Sequence, residues 1–527
     1  MTWNASFRDQ LESTQQAPLF QLQLIANGTT SAEGVGTGFT TGSFTYSIPY
    51  STSTGATRSA VTVAASIVAG SVSITGQQVT VQSWSSTIGT FSVILAGETE
   101  ELFEAATRGS LCRLLMGFHG MGLEDFEPVA LGVVQNIRGT GGIMTIDCWD
   151  LLSALQSRIT SDSTKLSLYS DVVQATTIAS SAYTAGAGTL TLASATGFTR
   201  ETGGTGVVKV TPDSGDPFYL KWTNIVGVVL TVEAVGSFGT TAANASIGNA
   251  VENAVYLTGH PLILLEKTLA STGTGGNGSR DTLPSTWGYG VSKDWLDTQS
   301  LDNWRSEVLQ AASGAYTWDV LIEAPVTNGF SFWSELLSRA GIWPVLRHGK
   351  LAARCAQDIT LGSAKVHTVA ITDEDIVSVD RYSAFDTAAP QEAGKTKVIP
   401  AASGDAATAT STTLSTLPGV EVIEHDLSAV VWANQAAIVT SDANRLKIWD
   451  QRIGERVELT LGGLKGAQFV PGDVVLLTST ALKTRLGAVS GDGYVRSRRA
   501  LVTSVEPKLM GATVVVELVM MPTASEE

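Results

Sequence analysis

The chain has 527 residues, 43% hydrophobic and only 16% charged, with 49 acidic residues against 33 basic for a net charge of −16. At roughly 100–200 residues per domain this length predicts three to five domains. The deficit of Lys and Arg excludes a protein that wraps a phosphate backbone. Three scattered cysteines, Cys112, Cys148 and Cys355, form neither a disulfide framework nor a CxxC metal site. The opening MTWNASFRDQ has no basic n-region followed by an apolar core, and no run of about 18 apolar residues occurs, so neither an export signal nor a membrane span is expected.

In place of charges the chain carries Gly, Ser, Thr, Ala and Val, which suit pleated surfaces and tight turns. A short amphipathic helix is predicted over 6–13 and a strand over 18–25, followed by a Gly/Thr/Ser-rich stretch (27–60) with a strand near 44–48. From Val61 the period-2 alternation of VTVAASIVAGSVSITGQQVTVQSW and TFSVILAG predicts strands throughout. Strands follow at 111–118, 128–137 and 143–148, with a turn at 138–142. A short helix is predicted over 149–158, its start near Asp147 and Asp150, whose carboxylates suit open N–H groups. Residues 186–256 are nearly helix-free and rich in Gly, Thr and Ala, and they read as a small β domain inserted into a larger one.

HPLILLEKTLASTG predicts a helix with Leu262, Leu265 and Leu269 on one face. A Gly-rich loop and a mixed stretch (293–312) lead to the strand YTWDVLIEA and the helix FSFWSELLSRAG, ended by Gly341 in a left-handed cap. IWPVLRHGKLAARC predicts a hairpin turning at His348–Gly349. The Ala/Ser/Thr run 401–417 reads as a loop or mobile lobe. Residues 427–449 predict the best helix, with Val431, Ile438, Ala443, Leu446 and Trp449 inward and Asp442 and Arg445 toward solvent. The last stretch, RVELTLGG to TVVVELVMM, is strand again.

Two strand-rich regions share a layout: TFSVILAG, SLCRLLMGF, PVALGVVQNI and IMTIDCW near the start, and RVELTLGG, DVVLLTS, ALVTSVEP and TVVVELVMM at the end. Internal duplication and chance likeness between β-rich segments both fit this pattern. A duplicated barrel would let a trimer present six barrels in a ring, adapting three-fold to six-fold symmetry.

RGSLCRLLMGFHGMGLEDFEPVALGVVQNI (108–137) with TIDCWDLLSAL (145–155) resembles the barrel of phage tail hub proteins, the family found in contractile baseplates, siphophage tail tips and gene transfer agents. PGDVVLLTS (471–479) with RRALVTSVEP (498–507) resembles that family's closing barrel, and GHPLILLEKTLAS (259–271) its linking α/β region. Residues 189–251 are similar to small β modules inserted in phage tail proteins, with Ser237–Phe238 where that pattern has Arg-Gly. The resemblance implies a homotrimer around the tail axis. It implies contact with the tail tube or distal tail protein above and a tip or central fibre protein below. It also implies assembly in the host cytoplasm, a place in the virion at the tail tip, and an acidic channel that passes phage DNA without specific binding.

No reactive constellation stands out. His119, His260, His348, His367 and His425 show no HxxxH spacing. ITDEDI (371–376) lacks the spacing of a calcium loop. There is no GxSxG elbow, and GTGGNG (273–278) follows a helix rather than a strand. No cofactor, metal or catalytic residue is therefore assigned. Arg496, Arg498 and Arg499 form a basic run expected in a loop between two strands, and they are the candidate protein–protein contact. Trp84, Trp149, Trp295, Trp304, Trp333, Trp343 and Trp449 are expected as core or interface anchors.

The expected fold is mainly β with α/β linking regions. It is multidomain, with two tail-tube-like β-barrels plus a small inserted β domain. The expected divisions are 1–160 (N-terminal barrel), 186–256 (insert), 257–385 (α/β linker), 386–450 (loop and long helix) and 451–527 (C-terminal barrel strands). A distal tail protein or other tip component, a tail-associated polysaccharide-degrading enzyme and a surface adhesin are the competing readings; the missing export signal argues against the last.

Overall fold

The computed structural model describes residues 5–11, 18–27, 43–49, 66–67, 71–96, 111–118, 121–156, 175–270, 296–384, 395–399, 407–410, 422–427, 436–486 and 492–522. Short gaps fall at 82, 122–124, 141, 197, 199–203, 311–315, 324–325, 327, 453 and 510–511. The fold is mainly β, with two half-barrel sheets and several domains.

The N-terminal sheet runs, in space, Ser43–Pro49, Pro18–Asn27, Leu111–Phe118, Glu127–Thr140, Ile143–Asp150, Thr90–Ala96 and Ser66–Ile67, with Ser73–Thr75 also on Thr90–Ala96. The C-terminal sheet runs Ile376–Ser383, Glu455–Gly462, Thr513–Met520, Tyr494–Lys508 and Val474–Lys483. Alternation sets the faces: in ERVELTLG every second residue is buried, as a pleated strand with one covered face requires. The inner faces of both sheets close on one continuous core, in which Leu95, Leu114, Met144 and Ile146 meet Leu459, Leu477, Val516 and Leu518.

The inserted sheet spans 175–259 and is antiparallel throughout. The first half of its strand Ala250–Gly259 pairs within the insert, and the second half pairs with Trp318–Ile322 of the linker. The insert is thus anchored through an unbroken strand. At its base Tyr219 donates to Glu323 at 2.7 Å and Tyr256 to Asp319 at 2.5 Å. Phe238, at the position where the resembled pattern has glycine, holds φ +56°. Its ring packs edge-on against Tyr219 and Tyr256, with the Lys221 ammonium 5.1 Å from its centroid.

The linker packs helices Pro261–Ala270, Thr298–Glu307 and Gly329–Arg339 around Leu262, Leu265, Trp304, Trp318 and Trp333. Gly341 takes φ +63° behind the last of these helices, and the hairpin turns at His348 (φ +49°) and Gly349 (φ +67°). Trp84 stacks on Trp343 at 5.2 Å and meets Trp449 edge-on at 5.3 Å. Trp149 is 41% exposed, and Trp295 lies outside the described residues.

Several local expectations are corrected. Among the described residues of 61–84 the strands are Ser66–Ile67, Ser73–Thr75 and Val79–Thr80. The best helix spans Ala436–Gln451; Leu427 instead follows the strand Val422–Asp426. Part of the 401–417 run is a strand, Ala407–Thr410, on Lys395–Ile399. Asp442 and Arg445 do not face solvent: they form a buried pair at 2.7 Å, completed by Tyr316 Oη on Asp442 and by Arg445 on the carbonyl of Ala356. The open stripe of this helix runs through Thr440 and Asn444, and Asp442 and Arg445 fall on its wide covered side.

Candidate assembly site

The two strand-rich regions share topology and register. In each, the first strand of four in sequence lies last in space, beside the fourth: Leu111–Phe118, Glu127–Thr140, Ile143–Asp150, Thr90–Ala96, against Val474–Lys483, Tyr494–Lys508, Thr513–Met520, Glu455–Gly462. The partners correspond one for one. Cys112 opposes Gly132 as Val475 opposes Ala500, and Ile146 opposes Val93 as Val516 opposes Leu459. Each long strand carries one extra residue at the same place. Gln135 bulges opposite Asp147/Cys148, and Thr503 bulges opposite Glu517/Leu518. A bulge inserts a residue and shifts every later side chain to the other face, so a matching bulge in a matching register is a specific likeness. In this alignment the identical pairs are Leu95/Leu461, Leu114/Leu477 and Val134/Val502, which is why the sequence shows only a shared layout.

The two units are held against each other by backbone. The segment after Ser73–Thr75 crosses onto Tyr494–Lys508 at its bulge, where Gln78 bridges Ser504. A Cβ on Gly76 would lie 1.8 Å from the Val505 carbonyl oxygen. Gln77 accepts from the Leu346 amide at 2.8 Å and so ties the linker hairpin to the same joint. Beside it, Asp150 closes the N-terminal unit: its carboxylate accepts from Gly89 N at 2.6 Å and from Leu152 N at 2.9 Å. Burial pushes this carboxyl up to about 7, against the pull of its backbone donors. Asp147, the other residue expected near the short helix, pairs instead with Arg138 across the hairpin at 3.0 Å.

A buried ion pair joins linker and C-terminal sheet. Arg354 Nε donates to Asp473 at 3.0 Å, both side chains being under a tenth exposed. Arg354 also donates to Ser300 Oγ at 2.9 Å and to the Ala353 carbonyl at 3.1 Å, and lies over the Trp304 ring. Pairing and hydrogen bonding of this kind offset the desolvation of a buried charge. The motif PGDVVLLTS contains Asp473, but nothing in the sequence links it to Arg354.

The basic run lies within the strand Tyr494–Lys508, not in a loop between strands. Ser497 takes φ +46° there, and the irregular pairing with Val474–Lys483 turns the three side chains differently. Arg496 is exposed and pairs with Asp492 four residues back. Arg498 reaches the Leu486 carbonyl at 3.2 Å, and Arg499 is partly buried.

The remaining polar candidates have structural partners. Asp373 of ITDEDI accepts from Ser479 Oγ and from the amide and hydroxyl of Thr480, bonds that hold its carboxyl well below the usual range. Asp375 binds Lys465 at 2.9 Å. His260 caps its helix, accepting from Leu262 N at 3.2 Å, and burial lowers it to about 4. His425 meets Asp450 at 2.9 Å; His119 and the Gly-rich loop 273–278 lie outside the described residues. All three cysteines are free and buried, and burial pushes the Cys355 thiol up to about 12. No helix among the described residues is long and apolar enough to cross a membrane.

Structural neighbours of the chain are phage tail proteins at low sequence identity. It is similar to the 43 kDa tail protein of prophage MuSo2 from Shewanella oneidensis, at 11% identity and TM-score 0.36 over 85% of this chain and 95% of that one. It is similar to prophage tail protein gp18 from Listeria monocytogenes EGD-e, at 10% identity and TM-score 0.37 over 86% and 89%. A chain from the virion of a native gene transfer agent particle matches at 10% identity and TM-score 0.21 over 47% and 84%. No family model and no curated protein matches the chain.

Proposed function

We propose that this chain is a structural subunit of a phage tail tip, a baseplate-type hub that assembles as a homotrimer and has no catalytic turnover. The observation that carries this reading is the register-matched pair of four-stranded units, bulge for bulge, joined through Gly76 and Val505. Three such chains bring six like units around one axis, and closed rings need matching interfaces. The ring then meets a six-fold tube or distal tail protein on one side and a three-fold tip or central fibre protein on the other. The net charge of −16 suits a channel that phage DNA passes without sticking. On this reading the exposed Arg496 contacts an acidic neighbour subunit.

Native mass spectrometry of the purified chain and a cryo-EM map of assembled tails test the reading together. A trimer at the tail tip, with six like units around the axis, is the expected result. A monomer with no density at the tip would sink it, and six copies per tail would assign the chain to the distal tail ring instead. Arg496→Glu should weaken assembly without lowering the melting temperature.

A further inference from the structure

In this acidic chain one cavity is lined by an excess of cations. It is a partly open cleft of about 320 Å³ where the N-terminal helix, the helix Thr298–Glu307, the linker hairpin and the C-terminal sheet meet. Arg8, Arg347, Arg354 and Lys365 line it, against the carboxylates of Asp297 and Asp473, with Lys365 already paired with Glu307 at 2.5 Å. Both carboxylates already have donors: Asp473 takes Arg354 and the Val470 amide, and Asp297 takes the Ser300 amide and Arg347.

Donors remain in surplus. Arg347 Nε is buried and has no hydrogen-bond partner among the described residues. The Arg354 guanidinium, 2% exposed, spends Nε on Asp473 and Nη1 on Ser300 and the Ala353 carbonyl. His367, also on the cavity wall, accepts from the Val369 amide on Nδ1 at 3.1 Å, so its neutral ring carries the proton on Nε2. Buried donors left unpaired are costly, and guanidinium groups match carboxylate and phosphate oxygens with two parallel hydrogen bonds. The cavity is several times the roughly 30 Å³ that one water occupies in the liquid.

We infer that this cavity is a binding site for a small oxyanion, a carboxylate or a phosphate, held by Arg347, Arg354 and His367 with Lys365 at the rim. The bound anion would link the hairpin Ile342–Cys355 to the segment carrying Lys365 and His367, whose backbone bonds Val474, and so stiffen the junction of linker and C-terminal sheet. Binding to the folded state alone raises stability by mass action.

The test titrates inorganic phosphate and, separately, glutarate into the full-length chain by calorimetry and thermal melts, with chloride holding ionic strength constant. Saturable binding of either, with a rise in melting temperature that chloride does not give, is the expected result. Phosphate alone binding identifies a phosphate site, and glutarate binding identifies a receptor for an acidic side chain. Arg347→Gln should weaken binding about tenfold, the loss of one charge-assisted hydrogen bond. Lys365→Gln, at the more exposed rim, should weaken it less and keeps the test open should Arg347→Gln fail to fold. Neither anion binding, or binding unchanged in every variant that folds, would overturn the assignment.

Discussion

Gly76 lies against Val505 so closely that a Cβ at position 76 would stand 1.8 Å from the Val505 carbonyl oxygen. The contact is backbone on backbone, so no side chain can rotate away to make room. Gly76→Ala must therefore push the two strand units apart or distort the bulge at Thr503. The expected loss is at least about 1–3 kcal/mol, the usual penalty for overpacking, read as a lower urea midpoint. An unchanged midpoint would mean that the joint contributes nothing to holding the units together.

Arg354 and Asp473 should behave as a coupled pair. Asp473→Ala leaves a buried guanidinium uncompensated and should cost about 3–5 kcal/mol. The double variant Arg354→Met/Asp473→Leu removes both charges and should recover much of that loss. Thermal melts of the single and double variants measure the coupling. If the two single losses simply add in the double variant, the pair is not coupled.

Asp150 predicts a pH dependence. Its carboxyl has an ordinary value of 3.8 and stands at about 7 when folded, because burial disfavours the charge. Between those values the folded chain holds a proton that the unfolded chain has released. The stability contributed here is full below about pH 4 and is lost as pH rises through about 7, with a slope of at most about 1.4 kcal/mol per pH unit. Denaturant midpoints measured from pH 5 to 8 should fall in the wild type relative to Asp150→Asn. Parallel pH profiles for the two proteins would contradict the assignment.

Tyr316 Oη donates to Asp442 at 2.5 Å inside the linker. Tyr316→Phe leaves a buried carboxylate oxygen short of a donor and should cost about 1–3 kcal/mol, seen as a lower melting temperature. Ser306→Ala, at an exposed helix position, is the matched control and should change little.

Strands were the most legible elements. Leu111–Phe118 matches its expected bounds, and Trp318–Ile322 falls inside the predicted strand, because alternating apolar residues announce a half-covered pleated surface. The turn at His348–Gly349 and the cap at Gly341 were equally readable, since a left-handed backbone calls for particular residues. The solvent placement of Asp442 and Arg445 failed because residue polarity was read as exposure, whereas partners distant in sequence, Tyr316 and Ala356, cover both charges and only a narrow stripe through Thr440 and Asn444 is open. The basic run was visible, but its division among Asp492, Leu486 and a partly buried position depends on the irregular strand register.

Local sequence by itself determined that this is a β-rich chain with two similarly laid out strand regions. It also made plain that no familiar catalytic motif is present. Only the tertiary structure decided that the two regions match residue for residue through Gln135 and Thr503, that Gly76 joins them, and that Arg354, Arg347 and His367 meet around one cavity. The physical reason is separation along the chain. Alternation and turn chemistry act between neighbours, whereas register, close backbone approach and charge pairing are settled among residues that the fold alone brings together.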